Sequence, residues 1–155
     1  MGYSGVIVVA RFEQPVAGSS LSGEMPVLDE LVFDDGWRCM WVDRDSPLKP
    51  QEVVAVTRAP ALCAYIFDSD VADVEATSPG GNHWHVYLHP ETAEELGAPA
   101  LEQPLPEAIA HIVGWAREAG SSVDSTVVAQ ALTAKNVFVE DTLLNLVKIL
   151  GVASG

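Results

Sequence analysis

The sequence predicts an α+β protein: a mostly antiparallel sheet of four to five strands in the first ~90 residues, with a helical C-terminal third packed on it. Three observations lead there. Short β-branched or alternating runs, each closed by Gly, Pro or Asp, fill the first half of the chain. Two of those runs flank Ser78-Pro79-Gly80-Gly81-Asn82, which is turn chemistry at hairpin length. Beyond a proline-rich connector at 97–106, apolar residues recur at the helical spacing of three and four. The expected organisation is one domain over 1–155, with a sheet-rich part at 1–96 and a helical part at 107–151.

Residues 4–12 are nearly continuous in β-branched side chains, as in a strand covered on both faces. Residues 13–26 are rich in Gly, Ser and Pro and read as a loop. Within Met25–Phe33, Leu28-Asp29-Glu30-Leu31 suggests a short helix. Asp34-Asp35-Gly36 is a turn signal, and Trp37–Val42 follows as a strand. Pro50 suits the first turn of a helix through about Val56, Pro60 closes it, and Ala61–Phe67 is the next strand.

The hairpin of Val71–Thr77 with His83–His89 can be placed in register from side-chain alternation alone. Setting Ala76 opposite Trp84, Val74 opposite Val86 and Ala72 opposite Leu88 gives one wholly apolar face. The other face then carries Asp73, Glu75, His83, His85, Tyr87 and His89, with Glu75 across from His85. A one-residue slip would mix charges with Trp84 and Val86. After Pro90, residues Glu91–Leu96 suggest a helical turn. Pro106–Ala119 reads as a helix with Gly120 as its stop and Leu105, Ile109, Ile112, Val113 and Ala116 as its buried stripe. Ser122 or Asp124 can cap a helix that turns Val127, Val128, Ala131 and Leu132 inward. A last helix from Val139 to Leu150 buries Leu143, Leu146, Val147 and Leu150 and ends at Gly151.

Composition narrows function more than any motif does. A hydrophobic share of 48% against 19% charged residues describes a folding chain, not an acidic tail. The formal net charge is −14. Between Arg58 and Arg117 there is no Lys or Arg, yet that window holds nine carboxylates and all four histidines. Such a balance opposes binding to DNA, RNA or an anionic membrane surface, because phosphate neutralisation needs clustered cations. A basic protein partner is the complementary expectation. A homo-oligomer is compatible with the sequence. The opening Met1–Ala10 lacks the basic region and long apolar run of a signal peptide, and no stretch approaches bilayer-spanning length, so a cytoplasmic location is expected. Cys39 and Cys63 lie in strand-like apolar runs and are expected as buried free thiols.

The outer hairpin face is the one cluster with site chemistry. Alternating histidines on a strand project to one side about 7 Å apart. His83 and His85, with Glu75 or His89, are therefore candidate ligands for a divalent transition metal, with Tyr87 beside them for acid/base work. Asp73 and Glu75 are the candidate contacts for a basic partner. Asp68-Ser-Asp70-Val-Ala-Asp73 departs from a calcium loop, since the third acid comes one residue late and occupies the required glycine position, so a polar turn is expected. Residues 127–151 outline a helix-turn-helix, but the second helix opens with Glu140 and Asp141, so an αα-hairpin packed on the sheet is expected. There is no Gly-x-Ser-x-Gly elbow and no Gly-rich phosphate loop. The expected function is a non-catalytic protein-binding or regulatory module of the immunity or inhibitor kind without a cofactor, and the alternative is a metal-binding domain or metal-dependent enzyme.

Overall fold

The β-branched run near the N-terminus becomes the interior strand β1 (Gly5–Arg11), buried at every position from Gly5 to Ala10. In the computed structural model, which describes residues 4–11, 27–33, 36–43, 48–101, 103–134 and 136–151, this strand is the middle of a six-stranded sheet. The other strands are β2 (Val27–Val32), β3 (Trp37–Val42), β4 (Ala61–Phe67), β5 (Val71–Thr77) and β6 (Trp84–Leu88). Their order is β2-β3-β1-β4-β5-β6, and every neighbouring pair is antiparallel. The helices are α1 (Pro50–Thr57), α2 (Pro90–Glu95), α3 (Leu105–Glu118), α4 (Ser125–Thr133) and α5 (Val139–Ile149). The chain is thus α+β, and no helix among the described residues is long and apolar enough to cross a membrane.

The period-two alternation of each strand builds two different cores. One face carries Ile7, Val9, Cys39, Leu62, Ile66, Val74, Trp84 and Val86, and α3, α4 and α5 cover it with Ile112, Trp115, Val128, Leu132, Leu143 and Leu146. The other face carries Val6, Val8, Met40, Val42, Ala61 and Cys63, which pack with Leu48 and Val53 at α1. Cys39 and Cys63 therefore sit on opposite faces, with β1 between their strands, and both remain free thiols. Trp84 and Trp115 are fully buried edge to face at 6.0 Å. Burial of two indoles outweighs the orphaned Trp84 Nε1, whose lost hydrogen bond costs about 1–3 kcal/mol.

Four expectations need correction. Leu28–Leu31 belongs to strand β2, which makes the sheet six-stranded. Leu, Asp and Glu favour a helical turn locally, but β3 offers a free edge, Phe33 N–H donates to Trp37 O at 2.7 Å, and Arg38 pairs with Glu30 at 2.6 Å. The buried stripe of α3 is rotated. Ala108, Ile112, Trp115 and Ala116 face inward while Leu105 is 46% exposed, because the large indole of Trp115 takes the core and donates to Thr77 O at 2.8 Å. Val127 is also exposed, at 41%, since α4 is flanked by two helices and needs only Val128, Ala131 and Leu132 inside. Finally, the hairpin ladder closes at Ala76–Trp84 and ends at Leu88, leaving His83 and His89 outside the strand. The expected loop at 13–26, and Asp34 and Asp35 of the expected turn, lie outside the described residues.

The remaining element expectations agree closely. Asp124 caps α4 by accepting from Thr126 N–H at 2.7 Å. Helix α5 buries Leu143, Leu146 and Val147, followed by Leu150, and Gly151 turns at φ 81°. The acidic run after β4 is a turn. Asp68 and Ser69 take φ of 51° and 56°, and Asp70 N–H donates to Phe67 O at 2.9 Å. Ser69 docks this turn on α5, accepting from Val139 N–H at 2.8 Å through its carbonyl and donating to Glu140 at 2.9 Å through its hydroxyl.

Candidate functional site

The hairpin register is the one that side-chain alternation demands: Ala72–Leu88, Val74–Val86 and Ala76–Trp84 on the buried face, Asp73–Tyr87 and Glu75–His85 on the other. The imidazole partners, however, are diagonal. His83 Nε2 meets Glu75 Oε2 at 2.6 Å, and His85 Nε2 meets Asp73 Oδ1. Each histidine sits two residues from the direct partner of its carboxylate, and both are displaced in the same sense along β6. Side chains on a strand lean along its axis, so this diagonal is within reach of a long ring. The direct opposition of Glu75 and His85 is a backbone pairing that their side chains do not follow.

His89 leaves the group altogether. It caps α2 in the left-handed region at φ 58°, because Pro90 opens a helix and the strand must turn sharply before it. Its ring is buried among polar partners on the helical side. Nδ1 donates to Asp70 O at 2.9 Å, which assigns the proton to that nitrogen. Nε2 lies 2.8 Å from the Thr142 hydroxyl, which Asn136 Nδ2 also approaches at 2.8 Å. The candidate metal set of His83, His85, Glu75 and His89 is therefore not assembled. Among the described residues no group of three or more His, Cys, Asp or Glu converges as a metal cage.

What the structure does assemble is a groove on the face opposite the C-terminal helices. Residues 97–101, followed by 103 and 104, lie beside α2 and the open edge at β6 and are tied down at two points. Tyr87 Oη donates to Pro99 O at 2.8 Å. Gln103 uses both ends of its amide, donating to His83 O at 3.2 Å and accepting from His85 N–H at 3.3 Å, so it stands in for a seventh strand at the sheet edge. Beside this strap, over the outer faces of β4, β5 and β6, lie three adjoining cavities of about 300, 460 and 180 Å³. Asp73 lines all three. The first is walled by Tyr65, Phe67 and Tyr87, the second by His83, His85 and Gln103, and the third by Leu48, Cys63 and Glu75.

The electrostatics follow from that geometry. The hydrogen bond to Asp73 raises the His85 pKa, burial works against it, and the charges of Asp73 and Glu75 add to it. Burial, and then the negative charge of Asp73, push the Tyr87 phenol up. Asp73 and Glu75 keep 44% and 34% of their side-chain surface in solvent, so their charge reaches the groove. Cys63 and His85 share the third cavity, which invites a thiol–imidazole reading. Two strand spacings of about 4.8 Å separate them, and the His85 ring is turned to Asp73 and stacked edge-on to Tyr87 at 5.6 Å. That ring does not serve the thiol.

Tyr65, Phe67, Pro99 and Gln103 are site residues that sequence reasoning missed. For the two aromatics a signal exists: in Ala64-Tyr65-Ile66-Phe67 they alternate with the core-facing positions. No such pattern marks Pro99 or Gln103, which reach the site through the path of a connector. No protein-family model, curated protein or solved structure matches this chain.

Proposed function

We propose that the protein is a non-catalytic binding module of the regulatory or inhibitor kind, and that the groove centred on Asp73 docks a basic protein partner. The observation that carries this reading is the position of one carboxylate at the junction of three cavities, on a face where no Lys or Arg from residues 59–116 competes for it. The His83–Glu75 and His85–Asp73 pairs hold the two acids in fixed positions before any partner arrives, which lowers the ordering cost of association. The surplus negative charge of the same window would steer a cationic partner from a distance. Catalysis receives no comparable support: both outer imidazoles are engaged by carboxylates, and among the described residues no hydroxyl or thiol nucleophile is bonded to either.

The reading is tested with a fluorescent octalysine peptide followed by anisotropy at roughly 20 and 200 mM salt. The expected result is binding that weakens with salt, and a drop of about tenfold in affinity for Asp73→Asn/Glu75→Gln. The control Glu107→Gln/Asp141→Asn removes two acids from the opposite, helical side. An equal loss in that control would mean that net charge alone attracts the peptide, and the docking site would be rejected.

A further inference from the structure

The cavity of about 300 Å³ beside Asp73 differs in kind from the acidic surface around it. Its walls are the aromatic rings of Tyr65, Phe67 and Tyr87, closed by Leu96 of the α2 end and Pro99 of the strap, and its one acidic lining side chain is Asp73. From the docking reading above, we infer that this cavity is the anchor site for a single arginine side chain of the basic partner, with its guanidinium on Asp73 and its planar face against the aromatic rings.

Each part of the cavity selects a part of that ligand. The volume lies at the lower limit of small-molecule clefts, roughly 300–1,000 Å³, so it suits one side chain better than a cofactor. Apolar walls accept the methylene stem, whose charged end must then meet a counter-charge. Asp73 supplies it: His85 takes Oδ1, and 44% of the Asp73 side-chain surface stays open to solvent. A guanidinium is planar, weakly hydrated and able to stack on aromatic faces while donating to a carboxylate, whereas an ammonium is a compact and strongly hydrated point charge. The aromatic walls therefore favour arginine over lysine. The Tyr87–Pro99 hydrogen bond fixes one ring, and half-exposed Phe67 stands at the other side, 51% open to solvent, where a side chain can displace water from it.

The test uses three blocked tripeptides, Gly-Arg-Gly, Gly-Lys-Gly and the citrulline analogue, titrated into the ¹⁵N-labelled full chain at millimolar concentration. The expected result is saturable shifts for the arginine peptide at the amides of Val71, Asp73, Tyr87, Leu96 and Ala98. Binding of the lysine peptide is expected to be about three- to tenfold weaker, the range a partly exposed cation–π contact represents, and the neutral citrulline peptide is expected not to bind. Asp73→Asn should abolish the arginine shifts while the rest of its spectrum stays native, and Tyr87→Leu should reduce affinity three- to tenfold. Equal binding of arginine and lysine peptides, or arginine shifts that persist in Asp73→Asn, would overturn the anchor site. Neither result touches the docking reading, which stands or falls on the octalysine experiment.

Discussion

At His85 the hydrogen bond to Asp73 raises the imidazole above its ordinary 6.5, with burial opposing and the charges of Asp73 and Glu75 assisting. The folded state thus holds this proton more tightly than the unfolded chain does. The resulting stabilisation is fully present below the unfolded value and is lost as pH rises through the elevated folded value. The groups that face His85 are Asp73 and Glu75 on β5, Tyr87 on β6, His83 just before β6, and Cys63 and Tyr65 on β4. The urea midpoint of the wild type relative to His85→Gln should therefore be largest near pH ~6 and narrow towards pH ~9. A gap that does not change with pH would show that the ring contributes packing and not a proton. Asp73 and Glu75 were legible in the sequence as the acids of this face, because alternation assigns faces. Their diagonal partners were not, because ring lean depends on side-chain torsions that a register argument does not contain.

Among the elements, the hairpin is fastened to α3 through one carboxylate. Glu118 accepts from the Ser78 hydroxyl, from Gly80 N–H at 2.7 Å and from Asn82 Nδ2 at 2.6 Å. Burial pulls its pKa up, but the three donors outweigh it and the net shift is downward. A Cβ on Gly114 would stand 2.5 Å from Asn82 Oδ1, so this helical glycine makes room for the turn. Two opposed effects follow for Gly114→Ala: helix propensity favours it by about 1 kcal/mol, while displacement of Asn82 weakens the Glu118 contact. Gly114→Ala should accordingly be close to neutral in the wild type and stabilise by nearly 1 kcal/mol in an Asn82→Ala background. Additive effects in the two backgrounds, measured by chemical denaturation, would show that Asn82 and Gly114 do not interact. The same element explains a misread stripe. In α3 periodicity alone permits Leu105 and Val113 to face inward, and the choice fell to Trp115 because its N–H finds Thr77 O there.

The whole molecule is a sheet with two unlike faces, and its thiols report on them separately. Cys39 lies under the helical layer with no exposure, and burial pushes its pKa up to about 12. In a Cys63→Ala background its reaction with a thiol reagent at neutral pH should require global unfolding, so the labelling rate should fall in step with added stability. Labelling faster than global opening would indicate a local path through the helical layer. By itself the sequence determined the α+β class, the hairpin register, the αα-hairpin and the acidic character of the open face. Each of those follows from a short-range period or from composition. Tertiary structure alone decided that Leu28–Leu31 is an edge strand, since pairing with β3 outcompetes local propensity. It also decided that His89 turns into the core, where Asp70 O and Thr142 are brought to it from 19 and 53 residues away. The groove is also a tertiary outcome: β4, β5, β6 and the strap follow one another in the chain, but only their lateral packing places three aromatic rings around Asp73.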